Sequence, residues 1–310
     1  MNALPTVKIF TTYKRTTMDG NTASRASQRS AATVALLTLC LGTVDAPQSY
    51  GAGVWTNEPS GASVVLDCPF NSVNGCGILD AYSSSQMASD SSAPISPSGA
   101  VQSTIYAGNS AGGMQLNYVT PQVQREMYVG LMWRTNPQFQ GRQVGNKMFF
   151  VRGPQNNGVF LFNNAALNNG SGAMIFSHNS SSHDNSHACA LDLGLACYPN
   201  VGPGILTVGT WTKMEVYIKS STTMTSRDGI VRWWINGVPA GNYTNLNYCA
   251  NGLNEWVWSE TWDGGVNPAP SVNWSHYIDH LHISIPGGSN AADQPPGPPA
   301  SPTMRTVTTP

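Results

Sequence analysis

A chain of 310 residues with 40% hydrophobic composition has enough apolar mass for one large core, and all-β sandwiches of this length commonly stay single domains. Only 10% of the residues are charged, against roughly 25% in an average globular chain. A net charge of −1 and a pI near 6.6 leave no Lys/Arg footprint for nucleic acid or an anionic membrane surface, so neither partner is expected, and a monomer is.

In chain order, Arg25 and Arg29 precede an apolar run from Ala31 to Gly42, and Val44-Asp45-Ala46 follows as a small-residue cleavage pattern. This is the layout of a secretory signal, and the run is shorter than the ~20 apolar residues a membrane span requires. Residues 1–46 are therefore expected to be a signal peptide with its upstream segment, and the product to be secreted. Met18 is an alternative start, and Pro47 would follow the cut directly.

Cysteine usage agrees with export. Cys68 and Cys76 enclose one short turn and Cys189 and Cys197 another, so two loop-closing disulfides are the simple assignment, with Cys249 left over. Other pairings of the five cysteines remain open on spacing alone. No C-x-x-C pair is present to supply zinc ligands.

From Tyr50 to Ser110 the chain is rich in Ser, Gly and Pro with short apolar runs, Ser63 to Leu66 and Gly77 to Tyr82. Beyond Gln124 the pattern sharpens into REMYVGLMWR, NKMFFVRG, NGVFLFNN, GAMIFSH, TKMEVYIKS, DGIVRWWING and HYIDHLHISI. Each is short, β-branched or aromatic, and bounded by Gly, Asn or Pro. No window shows helical periodicity, which predicts an all-β, two-sheet antiparallel β-sandwich over residues 47–288. The Pro/Ser/Thr-rich residues 289–310 read as a disordered tail.

Alternation along a strand sorts its side chains by face. It turns Met127, Val129, Leu131, Trp133, Met148, Phe150, Met214, Val216, Ile218, Val231, Trp233 and Ile235 inward. Glu126, Tyr128, Met132, Arg134, Lys147, Phe149, Glu215, Tyr217, Lys219, Arg232, Trp234 and Asn236 then point outward. If these strands are neighbours in one sheet, that face is a platform of Arg, Lys, Tyr, Trp and Glu. The same residues also suit a solvated face with ion pairs such as Glu215 with Lys147 or Arg232.

At the segments Thr210–Lys219 and Asp228–Gly237, and at Tyr277–Ser284 running into Gly287-Gly288, the chain resembles the concanavalin A-like jelly rolls. Within them it resembles the polysaccharide lyases of the heparin-lyase and alginate-lyase type, over about Tyr50 to Gly288. The Glu-x-Asp-x-x-Glu strand of retaining β-glucanases is absent. Gln-x-His and Arg-x-Glu-x-Arg strands are absent too, Arg125-Glu126-Met127 being a fragment of the latter.

The resemblance implies a secreted protein that cleaves a uronic acid polysaccharide by β-elimination. A non-catalytic glycan-binding module and a structural or virion surface protein are the alternatives. Such a lyase must neutralise the sugar carboxylate, remove the C5 proton and protonate the leaving oxygen. Arg134, Lys147, Lys219 and Arg232 suit the first task, and Tyr128 and Tyr217 suit the base and acid. Glu215, Trp234, Asn236, His183 and Trp262 are candidates for contact with the sugar.

His183 belongs to a Ser/Asn loop, Ser177–His187, that holds three of the six histidines. This composition serves an acid/base group, a metal ligand or a plain polar loop. In Glu255–Asp263, Trp256 and Trp258 are expected to pack and Trp262 is open to a sugar ring. No cofactor is required. The resemblance implies a structural calcium near the first and last strands, with Asp67 and Asp279 as ligands. Asn169, Asn179, Asn242 and Asn273 fit the glycosylation sequon.

Overall fold

A computed structural model of the chain describes residues 54–73, 75–80, 86–96, 99–109, 115–139, 146–154, 159–165, 171–178, 196–223, 225–246, 251–261 and 269–287. The chain falls into two units, Met1–Ala46 and Pro47–Pro310, and every described residue belongs to the second. The expected signal segment and the tail 289–310 lie outside the described residues. Among those residues no helix is long and apolar enough to cross a membrane.

The strands are β1 (Ser63–Cys68), β2 (Leu79–Asp80), β3 (Gln86–Ala88), β4 (Ala100–Ile105), β5 (Leu116–Gln124), β6 (Glu126–Thr135), β7 (Asn146–Arg152) and β8 (Val159–Ala165). They continue as β9 (Ser171–His178), β10 (Ala196–Cys197), β11 (Ile205–Thr207), β12 (Thr212–Lys219), β13 (Gly229–Ile235), β14 (Val238–Leu246), β15 (Leu253–Thr261) and β16 (Trp274–Ile285). All pairings among the described residues are antiparallel. Sheet I runs β14-β13-β12-β6-β16-β4-β3, with β1 also on β16, and sheet II runs β10-β9-β8-β7-β15-β5-β2, with β11 on β9.

The two sheets bury their apolar faces against each other, as the alternation predicts. Met127, Val129, Leu131, Trp133, Met214, Val216, Ile218, Val231, Trp233 and Ile235 of sheet I meet Met148, Val151, Trp256 and Trp258 of sheet II in one core. The β13–β14 hairpin turns on Asn236 and Gly237, with φ of 52° and 80°, the left-handed pair that an Asn-Gly hairpin turn requires. Asn236 also clips the turn to β12: its Oδ1 accepts from Lys213 N at 2.9 Å and its N donates to Lys213 O at 2.8 Å.

Bulges overrule the simple alternation in two places. On β7 the register slips between Lys147 and Phe149, so Phe149 joins Met148 in the core and Phe150 packs with Val257 on the other face. The expected facing of Phe149 and Phe150 is thereby reversed, because the extra residue of a bulge inverts the parity of everything beyond it. On β16 the slip lies between Ile278 and Leu281. Trp274 and Ile278 on one side of it, and Leu281 and Ile283 on the other, all face the core, while Asp279, His280 and His282 find partners on the outer face.

His276 is thus fully buried, and it forms part of a polar link across the sandwich. Trp258 Nε1 of sheet II donates to His276 Nε2 of sheet I at 3.1 Å, and Trp133 Nε1 of sheet I donates to Glu260 Oε1 of sheet II at 2.9 Å. His276 Nδ1 and Glu260 Oε2 lie 3.2 Å apart. Burial holds the imidazole down to about 3, so it is neutral at pH 7. Since Nε2 accepts from the indole, its one proton sits on Nδ1, facing the carboxyl. Burial pushes Glu260 well above the usual carboxylate range, partly opposed by the Trp133 hydrogen bond.

Cys68 and Cys76 form a disulfide across the turn they enclose. Cys197 is also disulfide-bonded; Cys189, its expected partner, lies outside the described residues.

Candidate functional site

The outer face of sheet I is partly roofed by the chain itself. Gly130 of β6 lies between Glu215 of β12 and His282 of β16, and its missing side chain opens a slot over the sheet. Trp55 fills the slot, so close that a Cβ on Gly130 would stand 2.5 Å from its Cε3. Around the indole, the segment Val54–Glu58 is tied down on both sides. Lys213 Nζ donates to Val54 O at 2.7 Å, and Asn57 donates from N and Nδ2 to the two oxygens of Glu215 at 2.9 and 3.0 Å. Glu58 Oε1 lies 2.9 Å from His282 Nε2.

A chain of acids and imidazoles continues from that last contact. His282 Nδ1 is 3.1 Å and His280 Nε2 2.7 Å from the same Asp67 Oδ1, and His280 Nδ1 is 3.4 Å from Ser96 Oγ. Burial alone would raise Asp67, but its two imidazole partners hold it well below the usual carboxylate range. Burial would likewise lower His282, and Asp67 and Glu58 raise it instead. Trp55 stacks on the His282 ring at 5.6 Å, and Tyr128 meets it edge-on at 6.1 Å.

Of the expected platform, Tyr128, Arg134, Glu215, Tyr217, Lys219, Arg232 and Trp234 do share sheet I. Lys147 does not: β7 lies in sheet II, because local sequence carries no information on which strands become neighbours. The roof changes the rest. Tyr128 and Glu215 are fully buried and satisfied by each other, with Tyr128 OH donating to Glu215 Oε1 at 2.7 Å. Glu215 pairs with Lys213 at 3.2 Å, not with Lys147 or Arg232.

Tyr217 OH donates to Glu126 Oε2 at 2.7 Å, and Lys219 pairs with the other Glu126 oxygen at 3.4 Å. Burial and the carboxylate partner push both tyrosines well above the ordinary phenol range, so both keep their protons at neutral pH. Arg232 lies over the Tyr217 ring and donates from Nε to Asn242 Oδ1 at 3.0 Å. Arg134 is pinned by Asp90 at 2.6 Å between the rings of Trp211 and Tyr277. Asn236 is engaged in its turn, as described above.

Sheet II presents a different outer face. Lys147 is exposed on β7 at a point where two register slips converge, one against β8 between Lys147 and Phe149 and one against β15 between Trp258 and Thr261. Among the described residues it has no acid partner. Further along the strand Arg152 lies 3.7 Å from Glu255 and over the Phe150 ring at 4.9 Å. Asn117 Nδ2 donates to Glu255 Oε1 at 3.1 Å. Burial raises the Glu255 carboxyl, and Arg152 and Asn117 oppose the shift.

His183 and Trp262 lie outside the described residues. Trp256 and Trp258 are fully buried in the core, as expected. The expected calcium ligands do not fit that role. Both Asp279 oxygens accept from backbone, from Ile95 N at 2.6 Å and Ser96 N at 3.0 Å, and Asp67 is taken by two imidazoles. Among the described residues no three His, Cys, Asp or Glu side chains are arranged to hold a metal ion. The strap, the two-imidazole aspartate and the Glu260–His276 link have no sequence motif; the Asp67 and His280/His282 partners lie more than 200 positions apart.

No protein-family model matches the chain, and no curated protein matches it. Among solved structures, an endo-β-1,4-glucuronan lyase from the fungus Trichoderma reesei aligns with a TM-score of 0.51 at 12% identity, covering 72% of this chain and 96% of that one. The alginate lyase Aly36B aligns with a TM-score of 0.43 at 20% identity, covering 60% and 80%. A marine alginate lyase from Aplysia kurodai aligns with a TM-score of 0.45 at 15% identity, covering 66% and 87%. The fold is a two-sheet antiparallel jelly roll, similar in fold to that glucuronan lyase.

Proposed function

We propose that the chain is an exported polysaccharide lyase that cleaves a uronate-bearing polymer by β-elimination, with the polymer lying across the outer face of sheet II. The observation that carries this reading is Lys147, an exposed ammonium with no acid partner among the described residues, placed at converging bulges that re-aim side chains and recur beside active sites. A compact, uncompensated cation is what a uronate carboxylate needs if the adjacent C5 proton is to become acidic. Likeness of fold to a glucuronan lyase supports the substrate class.

On this reading Tyr128 and Tyr217 are not the base, since both lie on sheet I, away from Lys147, and each is held protonated by a carboxylate of that sheet, Glu215 and Glu126. The base is assigned to the loop histidines, His183 first, and Trp262 to the sugar. Export accords with the Cys68–Cys76 disulfide.

A second reading, glycan binding without turnover, is favoured by the lack of an acid/base pair beside Lys147 among the described residues. The test offers alginate, glucuronan and glycosaminoglycans and follows the ultraviolet absorbance of the unsaturated product. Turnover that falls at least about tenfold in Lys147→Ala, with thermal unfolding unchanged, supports the lyase. A flat trace with retained binding selects the second reading, and neither turnover nor binding overturns both.

A further inference from the structure

We propose that Val54–Glu58 is a pH-gated strap, latched onto sheet I while His282 is an imidazolium and released when it becomes neutral. The argument is one of donors and acceptors. Both ring nitrogens of His282 face carboxylate oxygens, Nε2 facing Glu58 Oε1 at 2.9 Å and Nδ1 facing Asp67 Oδ1 at 3.1 Å. Ionised carboxylates only accept, so both contacts are hydrogen bonds only if both nitrogens carry protons. A neutral ring satisfies one and sets a lone pair against the oxygen of the other.

The two contacts are unequal in what they hold. Asp67 lies on β1 within sheet I and keeps His280 Nε2 as a second partner at 2.7 Å, whereas Glu58 belongs to the strap and is the more exposed acid. Loss of the proton therefore breaks the Glu58 contact first. The groups facing His282 are Asp67 from β1, Glu58 and the Trp55 ring from the strap, and Tyr128 from β6. His280, on β16 itself, acts through Asp67. Lys213 and Glu215 of β12 act on the strap through Val54, Thr56 and Asn57, and no step of the latch requires them to titrate.

The direction follows. Asp67 and Glu58 raise His282 above its ordinary 6.5, so the latch is fully closed below 6.5 and opens as pH rises through the higher folded value. Opening uncovers the slot over Gly130, with Tyr128, Met132 and Glu215 at its floor and wall. This device lies on the sheet opposite Lys147, and it stands whether or not the protein is a lyase.

Hydrogen exchange of the full chain tests it. The Asn57 amide donates to Glu215 Oε1 at 2.9 Å and reports strap docking; the Val216 amide, in the centre of β12, reports the whole domain. The expected result is a fall of about tenfold or more in Asn57 protection, corrected for intrinsic rate, as pH passes the His282 titration followed by NMR. Val216 protection stays constant. In Glu58→Gln, whose side-chain amide meets a neutral ring as donor or acceptor, the step shrinks or vanishes. Asn57 protection that is flat through the titration, a fall in step with Val216, or an unchanged step in Glu58→Gln overturns the proposal.

Discussion

Replacing Gly130 with alanine places a methyl carbon 2.5 Å from Trp55 Cε3 and 2.8 Å from Cδ2 and Cζ3, contacts that cannot persist. The β6 backbone has no room to retreat, since it is paired to β12 at Glu215 and to β16 at His282, so the strap must move. Full burial of an indole, about 150–250 Å² at about 25 cal/mol per Å², is worth at most about 4–6 kcal/mol. Ordering five strap residues costs roughly 1–2 kcal/mol each, which equals or exceeds that gain, so the strap is marginal and relies also on its hydrogen bonds to Lys213, Glu215 and His282. Gly130→Ala is therefore expected to cost about 1–3 kcal/mol, spent on displacing the strap.

Gly241→Ala is the control. Its methyl would stand 2.1 Å from Cη2 and Cζ3 of Trp233, an indole fully buried in the core and stacked on Tyr243 at 5.9 Å, with nowhere to swing. That variant is expected to cost about 3 kcal/mol or more and to lower the urea midpoint of the whole domain. Limited proteolysis within Val54–Glu58, read beside urea unfolding, separates the two. Gly130→Ala should speed strap cleavage far more than it shifts the midpoint. A midpoint loss equal to that of Gly241→Ala, or an unchanged cleavage rate, would refute the reasoning.

Replacing both Cys68 and Cys76 with serine opens a loop with a sequence separation of 8; the chain-entropy estimate is about 2.5 kcal/mol, measurable as a lower urea midpoint under oxidising conditions. Asp67 supplies the acid limb of stability. Its carboxyl is depressed in the folded state, so its contribution is full above the ordinary 3.8 and is lost as pH falls through the lower folded value. Asp67→Asn should flatten that limb; a pH–stability curve below 3.8 that keeps the wild-type slope would show that other carboxylates govern it.

The strands of sheet I were readable because β6, β12 and β13 alternate without interruption, so Val129, Val216 and Val231 fall inside and Tyr128, Tyr217 and Arg232 outside. β15 is harder: its aromatic cluster is expected to pack but is not among the strand-like segments, although Trp256 and Trp258 alternate into the core as in any strand. β16 shows where parity fails. His276, His280 and His282 are spaced by even numbers, which plain alternation would put on one face, yet the bulge at Asp279–His280 sends the first inside and the other two out. Lys147 is conspicuous in the sequence but its sheet is not, since neighbour order is fixed by long-range pairing and β7 lies in sheet II. The strap leaves no sequence signal because one turn of chain has no period, and its partners are far away in sequence.

The Glu260–His276 link has a further consequence for how the two faces are indexed. Two apolar sheets can slide over one another at little cost, because hydrophobic burial is non-directional. The Trp133–Glu260 and Trp258–His276 hydrogen bonds form at one offset only. They act as a dowel between the layers. Thr261, the residue after Glu260, pairs with Lys147 on one outer face, and His276 shares its strand with the latch on the other, so the same dowel sets where both surfaces stand.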